Sequence, residues 1–166
     1  MAELSQKERL QPSLLDRLAD DEPDKVQESR EQRVLSLSRL RQAVLRDLVW
    51  LLNTASFDTH QDLDDNPFVS HSVLNYGIRD LGGTTLSSAN LPEIQKQIRQ
   101  AILDFEPRIL PESLLVKIAA SDNVMNQNAM TFDIEGDLWA QPLPLRLYLR
   151  TELDLETGNM DVIDKG

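Results

Sequence analysis

No cysteine occurs in the 166 residues, so the chain can form no disulfide, no thiolate metal site and no cysteine nucleophile. Histidine is almost as scarce: His60 and His71 stand apart, without thiolates to help them, and neither a metal site nor any other cofactor is expected. Gly-rich phosphate loops, a nucleophile elbow and a metal-binding histidine pair are all missing. No run approaches the ~18 apolar residues of a membrane span. Met1 to Leu10 is charged and lacks the continuous apolar centre of a signal peptide. A soluble cytoplasmic protein with no direct membrane insertion is the expectation. Positive charge is short as well, with 17 Lys and Arg against 28 Asp and Glu and a net charge of −11. That balance argues against nucleic acid or an anionic membrane as the main partner.

What is present fits one core, which would bury roughly 70 per cent of its unfolded surface. Leu10, Leu14, Leu15 and Leu18 make an apolar stripe over about two helical turns, with Pro12 and Ser13 at its start. Such a segment is too short to be stable alone and needs something to dock on. Asp20 to Arg33 follows, dense in charge, with Val26 its one aliphatic residue. Residues 1–33 therefore read as a docking segment and charged linker, and 34–166 as a single α+β domain. The leucines either fold back onto their own domain or enter a partner's groove.

A long helix is predicted from about Ser38 to Asn53. Leu37, Leu40, Val44, Leu48 and Leu51 form its stripe, widened by Leu45, Val49 and Leu52, with Trp50 off to one side. Asp58, Asp62, Asp64 and Asp65 come next, without the glycine and terminal glutamate of a calcium loop. Ser70 to Ile78 reads as a short helix ended by Gly77, and Gly82-Gly83 as a turn. A second amphipathic helix carries Ile94, Ile98, Ala101, Ile102 and Phe105, opened by Asn90 and Glu93 as a capping box, with Pro92 in the first turn.

Pro107 ends that helix by biasing Glu106 out of the α region. Glu106 then meets the negative end of the helix dipole, which costs ~0.3–1 kcal/mol unless a cation is near. Arg108 is the nearest one in sequence. A surface ion pair here would contribute roughly 0–1 kcal/mol. The flanking Phe105 and Ile109 allow a second reading, a charge pair held for a purpose.

Beyond Arg108 the apolar period changes to two. Leu114, Val116, Ile118 and Ala120 share one strand face, closed by Asp122-Asn123. Met130, Phe132 and Ile134 share the next, with Gly136-Asp137 as a turn or bulge. Leu143 to Leu155 alternates most strongly, and Glu156 to Asn159 turns it into Met160 to Ile163. The fold class is α+β, with helices on one face of a small antiparallel meander. Carboxylate chemistry of the glycosidase kind is the one enzyme reading left. With 28 acids some pair always fits, and Arg108 would push Glu106 away from general-acid work.

Pro12 to Leu18, Val44 to Thr54, Ser72 to Gly77, Phe105 to Ile109 and Leu149 to Gly158 together resemble the TssE family. These are baseplate wedge proteins of type VI secretion, related to a wedge component of contractile phage tails. The likeness covers nearly the whole chain, in order, and Val49 is its one noted departure. It implies a structural role, no enzymatic activity, and partners TssF and TssG, with TssK nearby. It also implies a fold like the interlocking domain of the TssB–TssC sheath proteins and a template role for the first sheath ring. Glu106, Pro107 and Arg108 take the place of the family motif associated with holding the wedge core, and Leu14, Leu15 and Leu18 are the other partner-binding candidates. The homologous wedge protein of a phage tail or other contractile injection particle is the alternative; a carboxylate-dependent peptidoglycan hydrolase is a remote one.

Overall fold

The apolar spacing of the first long helix places its stripe on a sheet. In the computed structural model, which describes residues 13–18, 37–82, 90–119, 129–139 and 144–165, helix α1 is Leu14–Leu18 and helix α2 is Leu37–Leu52. Leu40, Val44, Leu48, Leu51 and Leu52 of α2 are buried, whereas Leu37 and Val49 at the stripe's margins are exposed. Helix α3 is the single turn Pro67–Ser70, and α4 is Leu91–Phe105 with Ile94, Ile98, Ala101 and Ile102 buried.

Four strands follow: β1 Leu115–Ala119, β2 Ala129–Leu138, β3 Leu145–Asp154 and β4 Met160–Asp164. They form one antiparallel sheet in the order β1-β2-β3-β4, a meander. Period-two alternation sends Val116, Met130, Phe132, Ile134, Leu147, Leu149, Leu153 and Met160 to the helix side, all buried. A fully buried side chain of this kind contributes roughly 1.5–3 kcal/mol. Thr151 sits in that apolar row at 0% exposure, its hydroxyl donating to the Phe132 carbonyl at 3.3 Å. The opposite face is charged, with Arg150 paired to Asp133, and Lys117 and Arg146 both paired to Glu135.

Both long helices lie on the apolar face, α4 against β1 and α2 against β4. The amide of Asn53 fixes one end of α2: its Nδ2 donates to the Met160 carbonyl and its Oδ1 accepts from the Met160 amide, each at 2.8 Å. At the other end Arg41 Nε donates to Asp164 at 2.7 Å. Gln95 holds α4 through the Val116 carbonyl at 2.7 Å.

Three local expectations need correction. Asn90 is the N-cap of α4, but its side chain accepts no cap hydrogen bond, so the capping box does not form; its backbone carbonyl accepts from Glu93 and Ile94 instead. Ser70 to Ile78 is no continuous helix but the end of α3 and a 3-10 turn, Val73–Asn75, before Gly77 at φ +125°. The break lies at Ser72, whose backbone is extended at φ −95° and ψ 164° and whose hydroxyl accepts from Leu74 N–H at 3.3 Å. Gly136-Asp137 is neither turn nor bulge; both residues pair with β3 inside β2. The glycine is there for close approach, since a Cβ would lie 3.0 Å from Ile109 Cγ2. Leu10, Pro12, the 20–33 linker, Gly83, Ala120, Asp122-Asn123 and Leu143 lie outside the described residues, as does the side chain of Leu14.

Candidate functional site

Glu106 caps the C-terminus of α4 with φ −122° and ψ 75°, the non-helical geometry that a following proline favours. After Pro107 the chain joins the sheet. The Arg108 carbonyl accepts from Trp139 N–H at 2.7 Å, Leu110 N–H donates to Asp137 at 2.9 Å, and Ile109 bridges Leu138. The motif is therefore clamped between the end of a helix and the end of β2, with Ile109 passing over Gly136.

That clamp aims the Arg108 side chain back at the helix end. Nε donates to Glu106 Oε1 at 2.6 Å and Nη2 to Oε2 at 2.5 Å, a bidentate pair. Glu106 is only 3% exposed, so the surface-pair expectation is overturned: the carboxylate sits in the protein, where α4 packs on the sheet. Arg108 Nη2 also reaches Asp47 Oδ2 of α2 at 2.6 Å, and Asp47 in turn receives Arg46 Nε at 2.9 Å. Burial works against the Arg108 cation, but hydrogen bonds and charge from Glu106 and Asp47 outweigh it and hold its pKa above the ordinary arginine value.

Arg46 extends the chain of charges outward. Its Nη1 donates to Asp16 of α1 at 2.6 Å, and its guanidinium carbon lies 5.0 Å from the Trp50 ring centre. Ser13 caps α1, accepting from the Asp16 amide at 3.2 Å and donating to the Asp16 carboxylate at 2.6 Å. Asp16, Arg46, Asp47, Arg108 and Glu106 thus form one alternating series linking α1, α2 and the end of α4. One donor in it is spare: Arg108 Nη1 is buried without a hydrogen-bond partner among the described residues, whereas Arg46 Nη2 lies 2.8 Å from Asp47 Oδ1. Beside the series lies a cleft of about 420 Å³ bordered by Leu15, Trp50, Leu51, Tyr76, Phe105 and Pro107. Tyr76 packs edge-on to Phe105, ring centres 5.3 Å apart. Burial first, then the charges of Asp47 and Glu106, push the Tyr76 hydroxyl above its usual pKa.

The sequence model for "Baseplate wedge protein gp25" matches residues 38–143. The chain belongs to that family. It is a structural protein of the baseplate-wedge class, not an enzyme, and its α+β meander with helices on one face is the fold that the apolar periods predict. No curated protein sequence matches the chain. Among solved structures, a Geobacter sulfurreducens protein described as a tail lysozyme is similar at 20% identity, covering 70% of this chain and 92% of that one with a TM-score of 0.41. A likeness that distant carries no argument about activity. Both oxygens of Glu106 in this wedge protein are turned toward Arg108, and among the described residues no trio of His, Asp or Glu is placed to hold a metal.

The structure brings Glu106, Pro107 and Arg108 together with Leu15 at one cleft. Leu18 is 74% exposed, and the described contact of α1 with α2 is the polar one through Asp16. Asp47, Arg46 and Tyr76 escape sequence reasoning as site residues. Asp47 and Arg108 are 61 positions apart, and no period or spacing links them. The signals available were the charged Arg46-Asp47 step beside the apolar stripe of α2 and the place of all three residues within stretches that resemble the TssE family.

Proposed function

We propose that this protein is the cytoplasmic wedge component of a type VI secretion baseplate, binding the TssF–TssG core, with TssK nearby, and templating the first ring of the TssB–TssC sheath. Membership of the baseplate wedge family over residues 38–143 carries this reading. The site supports it in three ways. A buried donor without an acceptor, Arg108 Nη1, costs free energy in the isolated chain, and an acceptor on a partner would remove that cost. The cleft beside it is lined by aromatic rings of the kind that anchor interfaces. β1 and β4 are the outer strands of a short sheet, and an outer strand can take a partner's strand through main-chain hydrogen bonds.

In this reading Glu106, Pro107 and Arg108 hold the cleft in shape against the wedge core. Leu14, Leu15 and Leu18 in the 1–33 docking segment supply the apolar contact, and 34–166 is the wedge domain. No described helix is long and apolar enough to cross a membrane.

The test is co-purification of the tagged chain with TssF, TssG, TssB and TssC, read by quantitative mass spectrometry. Leu15→Ser/Leu18→Ser and Trp50→Ser alter exposed side chains, so they should melt like the parent and yet lose TssF and TssG. Capture of none of these proteins by the parent would sink the assignment. Capture of phage-type tail proteins in their place would move it to another contractile particle.

A further inference from the structure

Residues 57–75 were read in sequence as an acidic loop and a short helix. The structure builds them into a hydrogen-bonded knot. Its base is closed where Ser56 N–H donates to Ile78 at 2.8 Å and Ile78 N–H to Thr54 at 2.9 Å. Above that base the 3-10 turn at Phe57–Thr59 and helix α3 both pack on the 3-10 turn at Val73–Asn75. Asn75, buried at 8% exposure, stitches all three. Its Oδ1 accepts from Asp58 N–H at 2.9 Å and its Nδ2 donates to the Ser70 carbonyl at 3.0 Å. His71 Nδ1 lies 2.8 Å from Asp104 and ties the knot to α4.

This scaffold turns apolar side chains into water. Phe68 is 92% exposed, Val73 81%, Leu74 72% and Phe57 44%. Single exposed apolar residues are ordinary; four on one hydrogen-bonded knot are not. A long segment with its own order and an apolar outer surface is a common form of binding loop. None of these four residues borders the Arg108 cleft.

Charge selects the occupant. Between residues 57 and 75 the sequence has four aspartates and no lysine or arginine. Asp62, Asp64 and Asp65 are exposed, and with Asp58 the first two line a hollow of about 290 Å³ in which Arg79 is the one cation. An anionic membrane is disfavoured by the same aspartates. A second copy of this chain would bring acid to acid.

We propose that the 57–75 knot is a second docking surface, built for a helical protein segment whose apolar stripe is flanked by lysine and arginine. The apolar side chains supply contact area, and the aspartates supply orientation and speed of encounter. The proposal does not depend on which contractile particle the wedge serves.

The probe is a fluorescent 18-residue helical peptide with a leucine stripe between arginines and lysines, titrated with the full chain and read by anisotropy. A twin peptide carries glutamate at the basic positions. The basic peptide should bind at least about tenfold tighter than its twin. Phe68→Ser/Leu74→Ser should weaken it about tenfold, and Asp62→Asn/Asp64→Asn/Asp65→Asn should remove most of its salt dependence. All these side chains are exposed, and urea melts of both variants should overlay the parent. Equal binding of the two peptides, or full affinity in the Phe68/Leu74 variant, would overturn the proposal. So would concentration-dependent dimerisation abolished by that variant, because the surface would then belong to a second copy.

Discussion

Removing the Arg108 cation tests whether the buried pair is a structural device or a surface ornament. Glu106 accepts three hydrogen bonds, and two of them, at 2.6 and 2.5 Å, come from the Arg108 guanidinium. The third is the Arg108 backbone N–H at 3.2 Å, which survives any side-chain change. In Arg108→Met the carboxylate, 3% exposed, keeps one weak bond and no counter-charge. Breaking a buried pair from one side costs about 3–5 kcal/mol. Asp47 adds little to this, because it is partly exposed and retains Arg46. For a chain of this size the loss corresponds to a fall in Tm of roughly 6–20 °C. Glu106→Gln/Arg108→Met removes both charges and should recover at least about 2 kcal/mol relative to the sum of the two single variants. Urea denaturation of the four proteins closes the cycle. A loss under about 1 kcal/mol in Arg108→Met, with an additive double variant, would mean that water reaches Glu106 and the burial reasoning is wrong.

Other outcomes follow from single contacts. Gly77→Ala should destabilise by at least about 2 kcal/mol in a thermal melt, since φ is +125° and a Cβ would fall 2.3 Å from the Thr54 carbonyl oxygen; a neutral result would mean this loop base is not formed. Leu147→Asp, at a position with 0% exposure on the helix side of β3, should abolish cooperative unfolding, and a surviving sharp melt would mean the sheet faces are reversed. The carboxyl of Asp16 is held below its ordinary value of 3.8, chiefly by its hydrogen bond from Arg46, with burial opposing. A depressed folded pKa means that its contribution to docking α1 is complete above that ordinary value and fades as pH falls through the depressed one. Arg46 side-chain NMR shifts should report that release on acidification and show it at every pH in Asp16→Asn. Shifts that are pH-independent in the parent would remove Asp16 from the series of paired charges.

Sequence alone determined the elements whose signal is local. The 3.6-residue period marked α2 and α4, because one buried stripe repeats within each helix. The two-residue period marked β2 and β3 and told which side faces the core. Pro107 ended α4 through a steric effect on its immediate neighbour, so the helix terminus and the Glu106–Arg108 contact were legible from adjacent residues. The N-cap bond at Asn90 was not, since a polar side chain there can leave the amides to the backbone carbonyl. Gly136 was misread because its reason is Ile109, brought over β2 by a chain reversal that no local pattern encodes. Tertiary structure alone decided that Glu106 is buried, that Asp47 from another helix is the second partner of Arg108, and that Asp16 closes the series. Such contacts join residues tens of positions apart, and their strength depends on burial. Neither distance nor burial exists until the helices have packed on the sheet.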